Sequence, residues 1–238
     1  VSPIAGTTRD AVDTQFEYEG IPLTLIDTAG IRKRGKIDPV VERYSVVRAK
    51  KAIERADVAL LMIDAETGIT AQDLHIAGFI LDAWKSTIVV VNKWDSIEKD
   101  SYTMNYYTEK ILYELNFMPY VPLLFISALT GQRVEKVLPL ALKVQEARLT
   151  HISTSKLNKI LRDALDAHPA PSKGGRQLKI YYATQVRSDP PTFLVYVNDH
   201  KLMHFSYRRF LENQIRAAYE FIGTPIRIVL KGKAKKEK

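Results

Sequence analysis

The sequence contains no cysteine. Disulfides, thiolate metal centres and cysteine nucleophiles are thereby excluded, and the composition fits a reducing compartment such as the cytoplasm. No uninterrupted apolar run approaches the roughly 20 residues that a membrane-spanning helix needs, so no membrane partner is expected. Glycine and proline number 11 each in 238 residues, too few for a collagen-like or linker-like chain. The N-terminus lacks the basic start and apolar middle of a signal peptide. It begins Val-Ser-Pro rather than Met, and the chain reads as the remainder of a longer protein.

What is present suits a folded protein. Hydrophobic residues make up 46% and charged residues 26%, enough apolar material for one large core or two ordinary ones. The charge is unevenly spread. Residues 1–150 hold 18 basic and 20 acidic residues, whereas residues 151–238 hold 17 basic and 7 acidic, a net +10. A strongly basic module beside a near-neutral one points to a polyanion partner for the basic one, against the plainer reading of a solvated Lys/Arg surface.

Residues 1–150 alternate strand and helix. Val12–Tyr18 and Pro22–Ile26 read as strands around a turn at Glu19–Gly20. Helical patterns cover Val40–Arg55, Gln72–Trp84, Tyr102–Asn116 and Arg133–Arg148. Val58–Ile63, Thr87–Val91 and Val121–Ile126 are continuous apolar runs of buried-strand length. The expected architecture is α/β, a mostly parallel sheet with helices on both faces. After about residue 150 the pattern changes to a small α+β unit: a helix over Thr154–Ala167, a loop at Ser172–Arg176, strands over Leu178–Gln185 and Thr192–Asn198, a helix over Tyr207–Phe221 and a strand at Ile226–Leu230. Residues 231–238 read as a disordered Lys-rich tail. The expected domains are therefore 1–150 and 151–230.

Four short motifs carry chemistry. Asp27-Thr28-Ala29-Gly30 follows an apolar strand; an Asp there can hold magnesium, and the Gly can bring its N–H to a terminal phosphate. Asn92-Lys93-Trp94-Asp95 follows another. Its Asp carboxylate can accept both the N1–H and the exocyclic amine of guanine, a donor pair that adenine lacks. The Lys93 stem can lie along the base, and Asn92 would fix the loop. Ser127-Ala128-Leu129 follows the third buried strand, where a backbone N–H can meet the guanine oxygen. Gly6-Thr7-Thr8-Arg9-Asp10 precedes the first strand, and a Thr hydroxyl there can coordinate magnesium. Taken singly, each has a bland alternative as an ordinary turn.

Taken in chain order, from Thr-Thr-Arg-Asp through Asp-Thr-Ala-Gly and Asn-Lys-x-Asp to Ser-Ala-Leu, and together with Pro3–Asp10, Ile26–Arg32 and Val91–Asp95, these motifs resemble those of the Der family, also called EngA, the bacterial double GTPases of ribosome assembly. Residues 1–150 are similar to the second GTPase domain of that family, and residues 151–230 to its C-terminal K-homology-like domain. The resemblance implies a P-loop GTPase fold, GTP or GDP as ligand, and magnesium. Thr8 and Gly30 would be catalytic: Thr8 as magnesium ligand with Thr7 beside it, Gly30 as the γ-phosphate contact. Asp27 would reach magnesium through water, with Thr28 and Ala29 beside the nucleotide. Asn92, Lys93, Asp95, Ser127 and Ala128 would read guanine. The backbone carbonyls of Ser2 and Ile4 would be candidate ligands for an activating potassium ion. The implied partners are the large ribosomal subunit and its rRNA, through the basic module, and an upstream first GTPase domain of the same protein.

Two departures qualify the resemblance. Ile31 stands where Ras-like GTPases carry the glutamine that orients water, so slow intrinsic hydrolysis is expected. No G-x-x-x-x-G-K-[ST] phosphate loop occurs in the sequence. The expectation is a C-terminal fragment lacking the first strand and helix of the fold, inactive by itself. The competing expectation is a non-enzymatic RNA- or ribosome-binding module; an ATPase is disfavoured by Asn-Lys-x-Asp.

Weaker signals remain. Arg32–Lys36 suits either a nucleotide-sensing loop or a solvated charge run. His200 and His204 have the i,i+4 spacing of a metal pair but no Cys to complete a zinc site. The basic module has no GXXG loop of the kind ordinary K-homology domains use. Lys173, Arg176, Lys179, Arg208, Arg209 and Arg216 are candidate phosphate contacts. Tyr181, Tyr182 and Tyr196 suit either strand packing or base stacking.

Overall fold

The computed structural model describes residues 13–26, 47 and 49–232. The chain divides into two units, residues 1–142 and 143–238.

In the first unit, β1 (Asp13–Tyr18) and β2 (Ile21–Ile26) pair antiparallel with Phe16 opposite Leu23. Glu19 and Gly20 both have positive φ, 52° and 78°, the conformation that a two-residue hairpin turn demands. This ribbon is a sheet of its own among the described residues. Leu25 on it is 52% exposed. Residues 49–55 are helical, and Arg55 pairs with Asp13 of β1.

The remaining strands form a parallel sheet in the order β3 (Val58–Asp64), β4 (Ser86–Asn92), β5 (Leu123–Phe125). Parallel strands need crossovers, and helices supply them. They are α1 (Ala71–Asp82) between β3 and β4 and α2 (Thr103–Glu114) between β4 and β5. Thr70 opens α1 with a reciprocal cap: its hydroxyl accepts the Asp73 N–H, and the Asp73 carboxylate accepts the Thr70 N–H. β4 is central, and its apolar middle, Ile88–Val91, is at most 1% exposed. Ile63, Ala77, Ile80, Val89, Val91, Ile111 and Leu115 close the core around it.

α3 (Val137–Leu149) runs across the boundary between the units. In the second unit, α4 (Thr154–Ala167) and α5 (Phe205–Ala218) cover one face of a three-stranded sheet in the order β10, β9, β8. Here β8 (Ile180–Ser188) and β9 (Pro191–Val197) are antiparallel, and β10 (Arg227–Gly232) returns parallel to β9 after α5. Leu157 and Leu161 of α4 and Leu211 and Ile215 of α5 meet Phe193, Val195 and Ile228 in its core. Burying each such side chain contributes about 1.5–3 kcal/mol.

Two local expectations give way. Ser172–Arg176 is not a plain loop: β6 (Ser172–Lys173) and β7 (Arg176–Gln177) pair around Gly174 and Gly175, whose φ values are 57° and 72°. That left-handed pair is the geometry of a tight hairpin turn, open to glycine at no steric cost. Lys231 and Gly232 complete β10 rather than opening the tail; the rest of the Lys-rich segment lies outside the described residues.

Candidate functional site

The site forms where β4 and β5 end. Asn92 is the last residue of β4, and Lys93 after it takes a left-handed conformation, φ 60° and ψ 34°. A short 3-10 turn, Trp94–Ser96, follows. This backbone reversal sends alternate side chains in opposite directions. Trp94 is driven into the core, 2% exposed, against Phe125 at 4.5 Å and Tyr107 at 5.2 Å. Lys93 and Asp95 are left at the surface. Truncating a Trp packed like Trp94 costs about 3–5 kcal/mol, so the variable position of the motif is the one that nails the loop down.

Asn92 joins this loop to the next. Its side-chain oxygen accepts the Ala128 N–H at 2.9 Å. Two backbone bonds reinforce the junction: Trp94 N–H to the Ile126 carbonyl at 3.0 Å, and Ile126 N–H to the Val91 carbonyl at 2.8 Å. The Ser127 hydroxyl, in a fully buried residue, accepts the Thr130 N–H at 3.1 Å, and the Ser127 N–H is donated to the Gln132 carbonyl at 3.1 Å. Ser127 thus shapes the turn from within, while Ala128 stands exposed on its rim.

Sequence reasoning missed a third strand end. Asp64 closes β3 directly opposite Asn92 of β4. Its carboxylate lies 2.6 Å from the Lys93 ammonium, with Glu66 a second partner at 3.5 Å. Burial pushes the Asp64 carboxyl up, but the Lys93 ammonium and backbone N–H donors outweigh it and hold the group below its ordinary value. Reciprocally, the hydrogen bond and charge of Asp64 raise Lys93. A carboxylate at the end of the strand before Asn-Lys-x-Asp was the available signal, but only the parallel register of β3 and β4 brings it to the lysine.

Asn92, Lys93, Asp95, Ser127 and Ala128 are therefore gathered by two adjacent loops. Asp95 presents a surface carboxylate, an acceptor set suited to a paired N–H donor such as guanine. Ser2, Ile4, Thr7, Thr8, Asp27, Thr28, Ala29, Gly30 and the basic stretch 32–36 lie outside the described residues. Among the described residues no group of three or more His, Asp and Glu side chains is placed to hold a metal ion. No described helix is long and apolar enough to cross a membrane.

In the second unit, Arg216 is not the surface cation that its sequence suggests. Its guanidinium pairs with Glu212 at 3.0 Å and donates to the carbonyls of Phe221 at 3.3 Å and Thr224 at 3.0 Å. It closes the C-terminal end of α5, where unsatisfied carbonyls attract cations. Arg176 lies 3.6 Å from Asp199. His204 caps the start of α5, its ring nitrogen accepting the Ser206 N–H at 3.3 Å.

Comparison with known proteins agrees with both units. A family described as 50S ribosome-binding GTPase matches residues 1–93, and one described as KH-domain-like of EngA bacterial GTPase enzymes, C-terminal, matches residues 151–231. Solved structures of Era share the fold. One, in complex with MgGDPNP and nucleotides 1506–1542 of 16S ribosomal RNA, is 23% identical with a TM-score of 0.53, covering 97% of this chain and 82% of that one. Another, Aquifex aeolicus Era bound to GDP.AlF4-, is 24% identical with the same TM-score, covering 97% and 83%. The molecule is of the P-loop GTPase class, with a KH-like domain appended. GTPase Der of Desulfitobacterium hafniense is 52% identical over 233 residues, covering 98% of this chain and 53% of that protein. GTPase Der of a Geobacillus strain is 55% identical over 229 residues, covering 96% and 52%. The chain belongs to the GTPase Der family and spans about half the length of the curated relatives it matches.

Proposed function

We propose that the chain supplies the guanine-reading half of a GTP-binding and GTP-hydrolysing site, together with an RNA-docking domain, in a factor of large-subunit ribosome assembly in the cytoplasm. The observation that carries this reading is the clasp of Asn92 on Ala128, which brings the Asn-Lys-x-Asp loop and the Ser-Ala-Leu loop to one rim with Asp95 exposed beside it. In this reading Asp95 accepts the guanine N1–H and amine, and the Lys93 stem lies along the base. Gly30 would contact the γ-phosphate, and Thr8 directly and Asp27 through water would hold magnesium, the ion that neutralises charge on the transferred phosphoryl group. Ser2 and Ile4 are the proposed potassium ligands. The sequence match to a 50S ribosome-binding GTPase family and the net +10 of residues 151–238 support the ribosomal partner.

The test is an extended chain carrying the strand, phosphate loop and helix of a curated relative upstream of residue 1. It should hydrolyse GTP with magnesium and potassium present. An extended chain that folds and binds RNA but neither binds nor hydrolyses GTP would refute the enzymatic reading and leave an RNA-binding module.

A further inference from the structure

The sheet of the second unit has two unlike faces. Ala183, Phe193, Val195, Val197 and Ile228 lie under α4 and α5. On the opposite parity, register sets Tyr182 of β8 beside Tyr196 of β9, and Tyr196 beside Lys231 of β10. The two rings stack with centroids 4.3 Å apart and planes inclined by 13°. The Lys231 ammonium sits over Tyr196, 5.5 Å from its centroid. A cation and two parallel rings thus form one row across three strands. It ends at Tyr182, because β8 is the edge strand. Tyr182 is 45% exposed and Tyr181, next to it at a register shift, 50%. The Tyr196 phenol beside it raises the Tyr182 phenol above its ordinary value, and Lys231 brings the cation of the row.

The edge itself is closed to an added strand. Asn158 of α4 accepts the Ala183 N–H and donates to the Ala183 carbonyl, both at 2.8 Å. A peptide pairing along β8 would have to displace that side chain. A flat ligand continuing the stack would not. Arg227, on the same face of β10 as Lys231 by strand parity, and the net +10 of residues 151–238 favour an anionic partner.

We infer that this face is a stacking platform for single-stranded RNA, one base lying on the outer face of Tyr182 and the flanking phosphates near Lys231. It deepens, and rests on, the RNA-docking reading above. It also supplies a route to RNA that needs no GXXG loop. Base–aromatic stacking tolerates any base, so weak sequence preference is expected.

The experiment uses the full 238-residue chain and a fluorescein-labelled twelve-nucleotide RNA of mixed A and U, read by anisotropy across a potassium chloride series. Tyr182→Ala should weaken binding by about 5- to 100-fold, and Tyr182→Phe by less than about twofold. Lys231→Ala should lower the slope of log affinity against log salt by about 0.7. Tyr182→Leu, which keeps apolar bulk without a flat face, should bind as weakly as Tyr182→Ala and serves if the alanine variant does not fold. A folded Tyr182→Ala or Tyr182→Leu variant that binds like the wild type overturns the platform. If Arg208→Ala then abolishes binding, the RNA-docking reading survives on another face. A wild-type chain that binds no RNA overturns both. Tyr182→Ala that dissociates a dimer in sedimentation without changing RNA affinity also overturns it, in favour of a second copy of this chain as the occupant.

Discussion

The side-chain oxygen of Asn92 accepts the backbone N–H of Ala128 across 36 residues of sequence, at 2.9 Å. One amide therefore couples the ends of β4 and β5. A mutation at Asn92 should act on both loops at once.

Asn92→Ala removes the acceptor but leaves the Ala128 N–H on an exposed residue, where water can take it. The stability cost should be modest, about 0.5–1.5 kcal/mol. Guanine-nucleotide affinity of the extended chain should fall more than that cost suggests, because the two loops would no longer be held together. Asn92→Asp keeps an oxygen in place and should retain stability. Urea unfolding and labelled-GDP titration of the two variants check both halves; equal nucleotide binding by Asn92→Ala would rule the clasp out as a determinant.

Asp95→Asn exchanges one acceptor for a donor. Guanine presents donors to that position, so GDP affinity should drop by about tenfold or more, a loss of about 1.4 kcal/mol or above. Xanthine presents a carbonyl where guanine has its amine, and the variant should prefer xanthosine diphosphate. Competition between the two nucleotides on the extended chain decides it. Unchanged preference for GDP would remove Asp95 from the base site.

The Asp64–Lys93 pair sets a pH window. Asp64 is held below its ordinary value in the folded chain, so its contribution is present above the unfolded carboxylate value, about 4, and is lost as pH falls through the lower folded value. Lys93 is raised, so its contribution is present below about 10.5 and is lost as pH rises through the higher folded value. The stability gap between wild type and Asp64→Asn should be constant near neutrality and should close in acid. A gap that persists at about pH 2 would mean that the pair contributes nothing through charge.

Gln185 is a buried connector in the second unit. Its carbonyl oxygen accepts the Ile152 N–H at 2.7 Å, and its amide donates to the Thr150 carbonyl at 2.9 Å. Gln185→Leu would fill the space but orphan a buried donor, costing about 1–3 kcal/mol. Calorimetric unfolding should register that loss, and a variant as stable as the wild type would show that the 150–152 segment finds other partners.

Much of this was legible in the sequence because the signals were local. The apolar run Thr87–Val91 read as a buried strand, and Asn-Lys-Trp-Asp after it marked the loop proposed to read the base. Leu157, Ile160, Leu161 and Leu165 marked α4 by their helical spacing. The Glu19–Gly20 turn followed from the strands on either side of it. What sequence could not supply depended on register or on uncommon caps. Asp64 meets Lys93 only because β3 and β4 pair in parallel with Asp64 opposite Asn92. The start of α5 at Phe205 was hidden because its cap is His204, not one of the usual small polar residues. The β6–β7 ribbon was hidden because two-residue strands have no periodicity to read. Arg216 looked like a surface cation because its partners are backbone carbonyls beyond the helix end.

Among the described residues, β4 alone in the three-stranded sheet has a neighbour on both sides, and Ile88–Val91 are almost wholly shielded from water. Such amides open only when the whole unit opens. The loop proposed to read the base grows directly from that strand and is pinned by Trp94 to the same core. On warming, recognition of the base should not fade gradually as a peripheral loop frays. It should survive until the unit melts and then vanish in the same transition, making ligand binding and fold a single all-or-none event.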